Sequence, residues 1–515
     1  MLVLFFVIVS ECLSVVCRFD RKMDGSIPAT RYSHTFHPTL GVPRARRGGS
    51  PPDVSRLSVD SVGFCFLFFR HILTTDMLPV VTKVFARRAS LSTVRGALAA
   101  RASFRAFGTT IDMDNIKVLN ENDNKWSSKD NCRIPFTDYE AKDLPAVTDI
   151  LDKFEEDLQR KTQNHAGYPY NLNYNFEELF KFMNYSINNL GDPFVTSNYG
   201  VHSRAFETSV VDFFARLWKL KDEEYWGYVT SCGTEGNLHS VLVARECHPE
   251  GILMSSTETH YSIFKACRAY RMDYEPIDTT ANGEINYDIL DERIGHYAGE
   301  GRDIILNCNL GTTVRGAVDD VDRIISLLAK HNVNRENFHI HCDGALFGLM
   351  MPLLIPRGPI SFEKPIDSIA VSGHKMLGCP MPCGITVTRK KHLEKMSRPV
   401  EYLNSVDTTI MGSRNGHAAL YMWYALRTKG IDGLQDEVRQ CFVNAEYLHE
   451  ELLRAGVKAE RNELSTTVVL ERPNAEFVRK WQLACEGDIA HVVVMPNITK
   501  AVVDDFVAQL KDGGQ

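Results

Sequence analysis

Residues 338–345 read Phe-His-Ile-His-Cys-Asp-Gly-Ala, and residues 368–375 read Ser-Ile-Ala-Val-Ser-Gly-His-Lys. Each stretch begins with a short run that predicts a strand and ends in residues that can carry chemistry. Asp343 follows the first run, and Lys375 follows the second, 32 positions later. Because open α/β folds bind ligands at the carboxyl edge of the sheet, we expect these two side chains to meet there.

Short apolar runs alternate with helical stretches from Asp112 onward, which is the pattern of an α/β protein. The runs do not alternate in polarity, so they predict a sheet that is buried on both faces. Strands are predicted at Tyr228–Ser231, Ile252–Ser255, Asp303–Cys308, Phe338–Cys342, Ser368–Ser372, Gly384–Thr388, Thr466–Leu470 and His491–Met495. Helices are predicted at Leu144–Arg160, at Val321–His331 and around Ala418–Leu453. We expect a large, mixed and mostly parallel sheet with helices on both faces, followed by a smaller α/β domain.

Composition divides the chain into five predicted segments. They are a poorly defined extension at 1–76, a basic segment at 77–110, an N-terminal arm with helices at 111–190, a large domain at 191–405 and a small C-terminal domain at 406–515. The segment Met77–Thr110 holds six basic residues and no acidic residue, a composition typical of a mitochondrial transit peptide. A basic tail on a cytoplasmic protein has the same composition, so both locations stay open.

Charge and cysteine usage exclude several classes of partner. Residues 1–110 carry a net charge of +9 and residues 111–515 a net charge of −16, so nucleic acid is not an expected partner of the long acidic part. No apolar run reaches the ~18–20 residues that span a bilayer, so no membrane partner is expected. The 13 cysteines are scattered, which predicts free thiols. Cys379 and Cys383 lack the spacing of a zinc knuckle, and no metal ligand is predicted.

Asp343 and Lys375 together fit the needs of pyridoxal 5'-phosphate. This cofactor needs a lysine amine for a Schiff base and a carboxylate that keeps its pyridine nitrogen protonated. Residues 231–237, Ser-Cys-Gly-Thr-Glu-Gly-Asn, follow a predicted strand and open a helix, where backbone N–H groups and the helix dipole can bind a phosphate. His260 opens the next helix and can stack on a flat ring. Alone, each of these two features would be an ordinary structural element, but beside the Asp–Lys pair they predict a cofactor site.

The chain resembles the group II pyridoxal-phosphate-dependent decarboxylases, and within them the plant-type serine decarboxylases, which are themselves similar to histidine decarboxylases. The resemblance covers roughly three-quarters of the chain, and its motifs are specific. Besides the segments above, it rests on Gly167-Tyr-Pro-Tyr, Asn188-Asn-Leu-Gly-Asp-Pro-Phe, Ser197-Asn-Tyr-Gly-Val-His-Ser-Arg204, Ser372-Gly-His-Lys-Met-Leu-Gly-Cys-Pro-Met-Pro-Cys383, Met411-Gly-Ser-Arg-Asn-Gly-His417 and the segment Trp481–Met495. It implies a fold-type I enzyme in which the large domain binds the cofactor.

The resemblance also implies a role for individual residues. Lys375 would bind the cofactor covalently, and Asp343 would hold its pyridinium N–H. Ala345 and His260 would pack on the two faces of the ring. Lys375, His260 and Asp343 are therefore the expected catalytic residues.

The phosphate of the cofactor has its own expected set of ligands. The residues implied there are Gly233, Thr234, Ser372 and His374, with Asn237 nearby. The segment with Cys379 and Cys383 belongs to the same motif, which explains this cysteine pair without a metal.

The expected reaction is decarboxylation of a small amino acid, namely L-serine to ethanolamine and CO2, with histidine to histamine as the alternative. Tyr168, Tyr170 and His202 are candidate walls of the substrate pocket, and Thr312 or Thr313 would orient Asp343 or the ring hydroxyl. Transamination is a weaker alternative because no arginine stands out as a clamp for a second carboxylate. A non-catalytic relative is disfavoured because both Lys375 and Asp343 are present. The resemblance also implies a homodimer or a larger homo-oligomer.

Overall fold

The computed structural model describes residues 132–137, 144–355, 358 and 360–514. All of them belong to one compact unit. The predicted extension at 1–76 and the transit-peptide-like segment at 77–110 lie outside the described residues.

Seven strands form one large sheet in the order β1-β7-β6-β5-β4-β2-β3. The strands are β1 (Tyr225–Thr230), β2 (Ile252–Ser256), β3 (Asp273–Ile277), β4 (Ile304–Asn309), β5 (Phe338–Asp343), β6 (Ser368–Ser372) and β7 (Gly384–Arg389). Strand β7 is antiparallel to both β1 and β6, and the other neighbours are parallel. The expected mixed and mostly parallel sheet is confirmed.

Helices cover both faces of this sheet. Alternate residues of its strands belong to different apolar clusters: Leu253 and Ile305 pack with Val241 and Ala244 of a neighbouring helix, whereas Ile252 and Ile304 pack in the main core. Because side chains of a strand alternate between faces, this division means that both faces are covered. The helices from the arm through this region are α1 (Val147–Thr162), α2 (Arg204–Leu217), α3 (Gly233–Cys247), α4 (Tyr261–Tyr270), α5 (Tyr287–Gly299), α6 (Val321–Lys330) and α7 (Phe347–Leu354).

A smaller antiparallel sheet follows, in the order β10-β11-β13-β12. The remaining elements are β8 (Arg398–Val400), β9 (Ser405–Asp407), α8 (Gly416–Arg454), β10 (Ala459–Arg461), β11 (Thr467–Glu471), α9 (Ala475–Trp481), β12 (Ala484–Glu486), β13 (Ile489–Val493) and α10 (Lys500–Gln509). Helix α8 contributes Val438 and Cys441 to the main core, and Ala445 and Leu448 to a second core under the small sheet. Because one helix serves both cores, the domain boundaries at 190/191 and 405/406 stay predictions.

The strands that the sequence pattern did not predict are short and lie mostly at sheet edges. Strand β3 contains Pro276 and charged residues, and it pairs on one side only, so it lacks the apolar signal of a central strand. Strands β8, β9, β10 and β12 have three residues each, too few to show a period. Within the part of the chain that the structure describes, no helix has the length and apolar character needed to cross a membrane.

Candidate active site

Asp343 and Lys375 lie at the same edge of the large sheet. Asp343 is the last residue of β5, and Lys375 lies three residues beyond the end of β6, the neighbouring parallel strand. Both line one cavity of about 390 Å³, a size within the range of small-molecule sites. All nine residues expected at the cofactor line it: Gly233, Thr234, Asn237, His260, Asp343, Ala345, Ser372, His374 and Lys375.

The carboxylate of Asp343 is held from helix α3 and from the backbone. The side-chain amide of Asn237 donates a hydrogen bond of 2.7 Å to Oδ2, and the Ala345 N–H donates one of 3.2 Å to Oδ1. The hydroxyl of Thr312, which was one candidate for orienting Asp343, instead donates to Glu258 at 3.4 Å and accepts from the Ala317 N–H at 3.1 Å. The residue that orients Asp343 is therefore Asn237, which sequence reasoning placed only near the phosphate.

A buried hydrogen-bond network fixes the orientation of Asn237. Its Nδ2 also donates to the Ser262 hydroxyl at 2.9 Å, and its Oδ1 lies 3.0 Å from Nε2 of His341. The amide oxygen can only accept, so Nε2 of His341 carries the proton, and Nδ1 accepts from the Ser368 hydroxyl at 2.9 Å. Ser262 in turn lies 2.7 Å from Nδ1 of His260. One continuous network thus links the proposed ring-stacking histidine to the carboxylate that would face the ring nitrogen.

Burial shifts the pKa of the ionisable groups in this network. It lowers the pKa of His341 to about 4, despite the opposing charge of Asp343. Burial also lowers the pKa of His260 and that of Lys375, and the negative charge of Asp343 opposes the shift in both. Both histidines are therefore neutral at pH 7, and the Lys375 amine loses its proton more readily than an exposed lysine.

The start of helix α3 provides a close-fitting cradle. The N-cap residue Cys232 makes no side-chain capping bond, and Gly233 and Thr234 of the first turn line the cavity. Because the first N–H groups of a helix have no intrahelical partner, those of these two residues are suited to bind an anion. A Cβ atom on Gly233 would lie 2.5 Å from Oγ of Ser372, so only glycine leaves room between helix and hydroxyl. His374 is anchored by its Nδ1, 2.8 Å from the Cys383 carbonyl oxygen. A helix N-terminus, a hydroxyl and an imidazole at one end of the cavity fit a phosphate group.

The outer wall of the cavity comes from the arm before the large sheet and from the small sheet. Tyr168 and Tyr170 line it as predicted, whereas His202 does not. Sequence reasoning missed the residues supplied by the small sheet and its flanks, namely Thr467, Ala484, His491 and Val493. No local signal in the sequence marks them: His491, for example, meets the arm through Nε2, which lies 3.1 Å from the Gly167 carbonyl oxygen, 324 positions away.

The charges in the cavity are few. Among the described residues that line it, Asp343 is the sole acid and none is an arginine. A second carboxylate on a substrate would therefore lack the bidentate partner that such groups prefer, which supports the expectation that transamination of a dicarboxylic acid is not the reaction.

Comparisons with known proteins agree with this site. A family model described as the pyridoxal-dependent decarboxylase conserved domain matches residues 187–470. Serine decarboxylase 1 of Oryza sativa subsp. japonica is 53% identical over 71% of this chain and 76% of its own. A histidine decarboxylase of Solanum lycopersicum is 45% identical over 70% of this chain and 87% of its own. The structure of L-methionine decarboxylase from Streptomyces sp. 590 superposes with a TM-score of 0.67 and 27% identity, covering 74% of this chain and 98% of that one.

Fold and site together define a pyridoxal-phosphate-dependent enzyme of fold type I. Within that class, the chain belongs to the pyridoxal-dependent decarboxylase family. It is an amino acid decarboxylase whose cofactor is pyridoxal 5'-phosphate.

Proposed function

We propose that the protein decarboxylates L-serine to ethanolamine and CO2. The observation that carries this proposal is the 53% identity to a rice serine decarboxylase, set against 45% to a tomato histidine decarboxylase. The cavity is compatible with a small neutral side chain because its described lining offers one carboxylate, at Asp343, and no arginine. Histidine is the second candidate, since its side chain is also uncharged above its pKa.

The residues expected to contact the cofactor each have a proposed task. When bound, pyridoxal 5'-phosphate supplies an electron sink for the pair released as CO2 leaves. Lys375 would hold it covalently, and Asp343, held by Asn237, would keep the proton on its ring nitrogen. His260 and Ala345 would keep the ring flat between them.

The other end of the cofactor would be fixed by the cradle at the start of α3. The N–H groups of Gly233 and Thr234, the Ser372 hydroxyl and His374 would hold the phosphate. This anchor lets the fixed charges of the site act at the α-carbon without reorganising during the reaction.

The lowered pKa of Lys375 affects two properties of this residue, namely its reactivity as a nucleophile and its ability to carry a proton. A neutral amine is the nucleophile that bonds to a carbonyl carbon, so burial favours the reactive form. The same amine can carry a proton at the face of the cavity where it is held. The neutral state of His260 keeps a second positive charge away from the ring.

A product assay on the full-length holoenzyme tests the proposal. Serine and histidine are offered separately and together, and ethanolamine and histamine are measured. We expect ethanolamine, a loss of about 10³-fold or more with Lys375→Ala, and little change with the exposed control Lys330→Ala. Histamine as the main product would move the substrate to histidine, and neither amine from a cofactor-loaded protein would refute both substrates.

We also propose that the enzyme works as a homodimer. Helix α1 presents apolar side chains at helical spacing to solvent: Val147, Leu151 and Leu158 are 71%, 57% and 44% exposed. An uncovered apolar stripe of this kind is typical of a protein–protein contact. Light scattering of the full-length protein should give twice the chain mass, and Leu151→Asp should shift it toward the monomer. A wild-type mass of one chain at micromolar concentration would refute the dimer.

A further inference from the structure

A second cluster of reactive side chains lies at the opposite end of β5 from Asp343. Cys247 is the last residue of α3, His339 is the second residue of β5, and His392 ends the short turn after β7. Each offers one ligand atom, and these three atoms lie within 4.8 Å of one another. The Cys247 sulfur and Nδ1 of His392 are 3.6 Å apart. His339 and Asp343 are four strand residues apart, about 13 Å, so the cluster is separate from the cavity.

His339 is the strongest indication that this cluster binds a ligand. Its side chain is fully buried, yet neither ring nitrogen has a hydrogen-bond partner within the described part of the chain. Oδ2 of Asp367 is 4.0 Å from Nδ1, which is too long for a hydrogen bond. Leaving a buried polar group unsatisfied costs about 1–3 kcal/mol.

The second histidine is oriented as metal ligands are. Nε2 of His392 lies 2.8 Å from Oδ1 of Asp367, and this carboxylate also accepts from the Ile340 N–H at 2.9 Å and from Arg335. A carboxylate on the distal nitrogen fixes the tautomer, so Nδ1 of His392 faces Cys247 as the free nitrogen. Histidines that bind metals have this same outer-shell arrangement.

The geometry points to a zinc site formed by Cys247, His339 and His392. One thiolate and two imidazoles are a donor set that Zn²⁺ prefers. Zinc–ligand bonds of about 2.0–2.3 Å in tetrahedral geometry separate ligand atoms by about 3.5 Å, close to the observed distance between Cys247 and His392. The ligand atoms lie within 4.8 Å of one another, so the widest pair would close by up to about 1.3 Å to reach that separation. Asp367 is already used by other donors, so water would fill the fourth position.

Such a site would tie three elements together at the amino edge of the sheet. It would join the end of α3, the start of β5 and the turn after β7, which lie far apart in the sequence. Cys247 and His392 are partly buried rather than sealed, which gives the ion a route from solvent. None of the three ligands lines the cavity that holds Lys375, so the ion would connect these elements without taking part in the reaction in that cavity.

Metal binding to the full-length holoenzyme, purified without an added histidine tag, tests the inference. We expect one equivalent of Zn²⁺ per chain after dialysis, and with Co²⁺ a sulfur-to-metal charge-transfer absorption. Cys247→Ser should remove that absorption and weaken Zn²⁺ binding by at least about tenfold. Cys485→Ser is the matched control, because Cys485 is also partly buried but lies outside the cluster, and it should bind as the wild type does.

Further measurements distinguish specific Zn²⁺ binding at this site from misfolding of a variant and from nonspecific metal binding. His392→Asn should weaken binding as Cys247→Ser does, while circular dichroism and cofactor absorption stay those of the wild type. A charge-transfer absorption that survives Cys247→Ser, or Zn²⁺ affinity that is equal in wild type and both variants, would overturn the site. An intact fold with no bound equivalent of Zn²⁺ in the wild type would overturn it as well.

Discussion

The two ends of strand β5 hold similar side chains in opposite states. His339, His341 and Asp343 share one face of the strand, since alternate residues point the same way. At the carboxyl end, both nitrogens of His341 are hydrogen bonded and Asp343 is held by two donors. At the amino end, neither nitrogen of His339 has a partner among the described residues. The polar groups at the carboxyl end are therefore held in place without a ligand. At the amino end, the nitrogens of His339 need a ligand to satisfy them.

Asp343→Asn should give the largest effect, confined to the carboxyl end. The substitution keeps the shape of the side chain and removes the charge that would keep the ring nitrogen protonated. We expect the rate of amine formation to fall by about 10³-fold or more, with Zn²⁺ binding at the amino end unchanged. Steady-state kinetics and metal analysis of the same sample measure both. A rate within about tenfold of wild type would show that Asp343 does not have this role.

His341→Leu should give the next largest effect, on both stability and rate. It leaves Oδ1 of Asn237 and the Ser368 hydroxyl without partners, which should lower the free energy of unfolding by about 1–3 kcal/mol. Loss of the fixed Asn237 orientation should also reduce kcat by about 10–100-fold, through positioning rather than contact with substrate. Urea unfolding and kinetics measure the two effects. An unchanged kcat in a destabilised protein would show that His341 has a structural role only.

The pH dependence of the free energy of unfolding should differ between the wild type and His341→Leu. The pKa of His341 is about 4 in the folded protein and about 6.5 when unfolded. The unfolded chain therefore binds the proton first on acidification, and the contribution of His341 is complete above pH 6.5 and is lost as pH falls toward 4. Wild type should lose up to about 1.4 kcal/mol more per pH unit than His341→Leu in this window. Parallel stability curves for the two proteins would contradict the assignment.

His339→Leu should give the smallest change in the free energy of unfolding. In metal-free protein at pH 8, this change should have the opposite sign to that caused by His341→Leu. The substitution removes a buried polar group that has no hydrogen-bond partner among the residues that the structure describes, so the free energy of unfolding should stay constant or rise by about 1 kcal/mol. With Zn²⁺ present, only the wild type should gain stability. Urea unfolding with chelator and with Zn²⁺ makes the comparison. If His339→Leu in chelator lowered the free energy of unfolding as much as His341→Leu does, His339 would have a hydrogen-bond partner in the metal-free protein.

The meeting of Asp343 and Lys375 could be predicted because the order of short apolar runs determines which strand ends share an edge. The cradle at Gly233 was also predictable, since small residues at a strand–helix junction commonly bind a phosphate. The link between Asn237 and His341 could not be predicted, because the two residues are 104 positions apart and each looks like an ordinary polar core residue.

The contributions of the small sheet to the cavity were also missed. His491 reaches the site only through the packing of β13 against the segment at Gly167, 324 positions earlier. Local periodicity carries no information about such a contact. The same is true of Cys247, His339 and His392, which form no motif because three different elements supply them.

Helix α8 has a consequence for how the enzyme unfolds. The helix is kinked at Gly430, and the segment after the kink places Leu434, Val438 and Cys441 in the main core and Ala445, Leu448 and Leu452 in the core of the small sheet. Melting either core would therefore leave part of this segment without an apolar partner. The two cores are therefore coupled in free energy, although their sheets share no strand. Calorimetry should record one transition in which both cores melt together rather than two separate transitions.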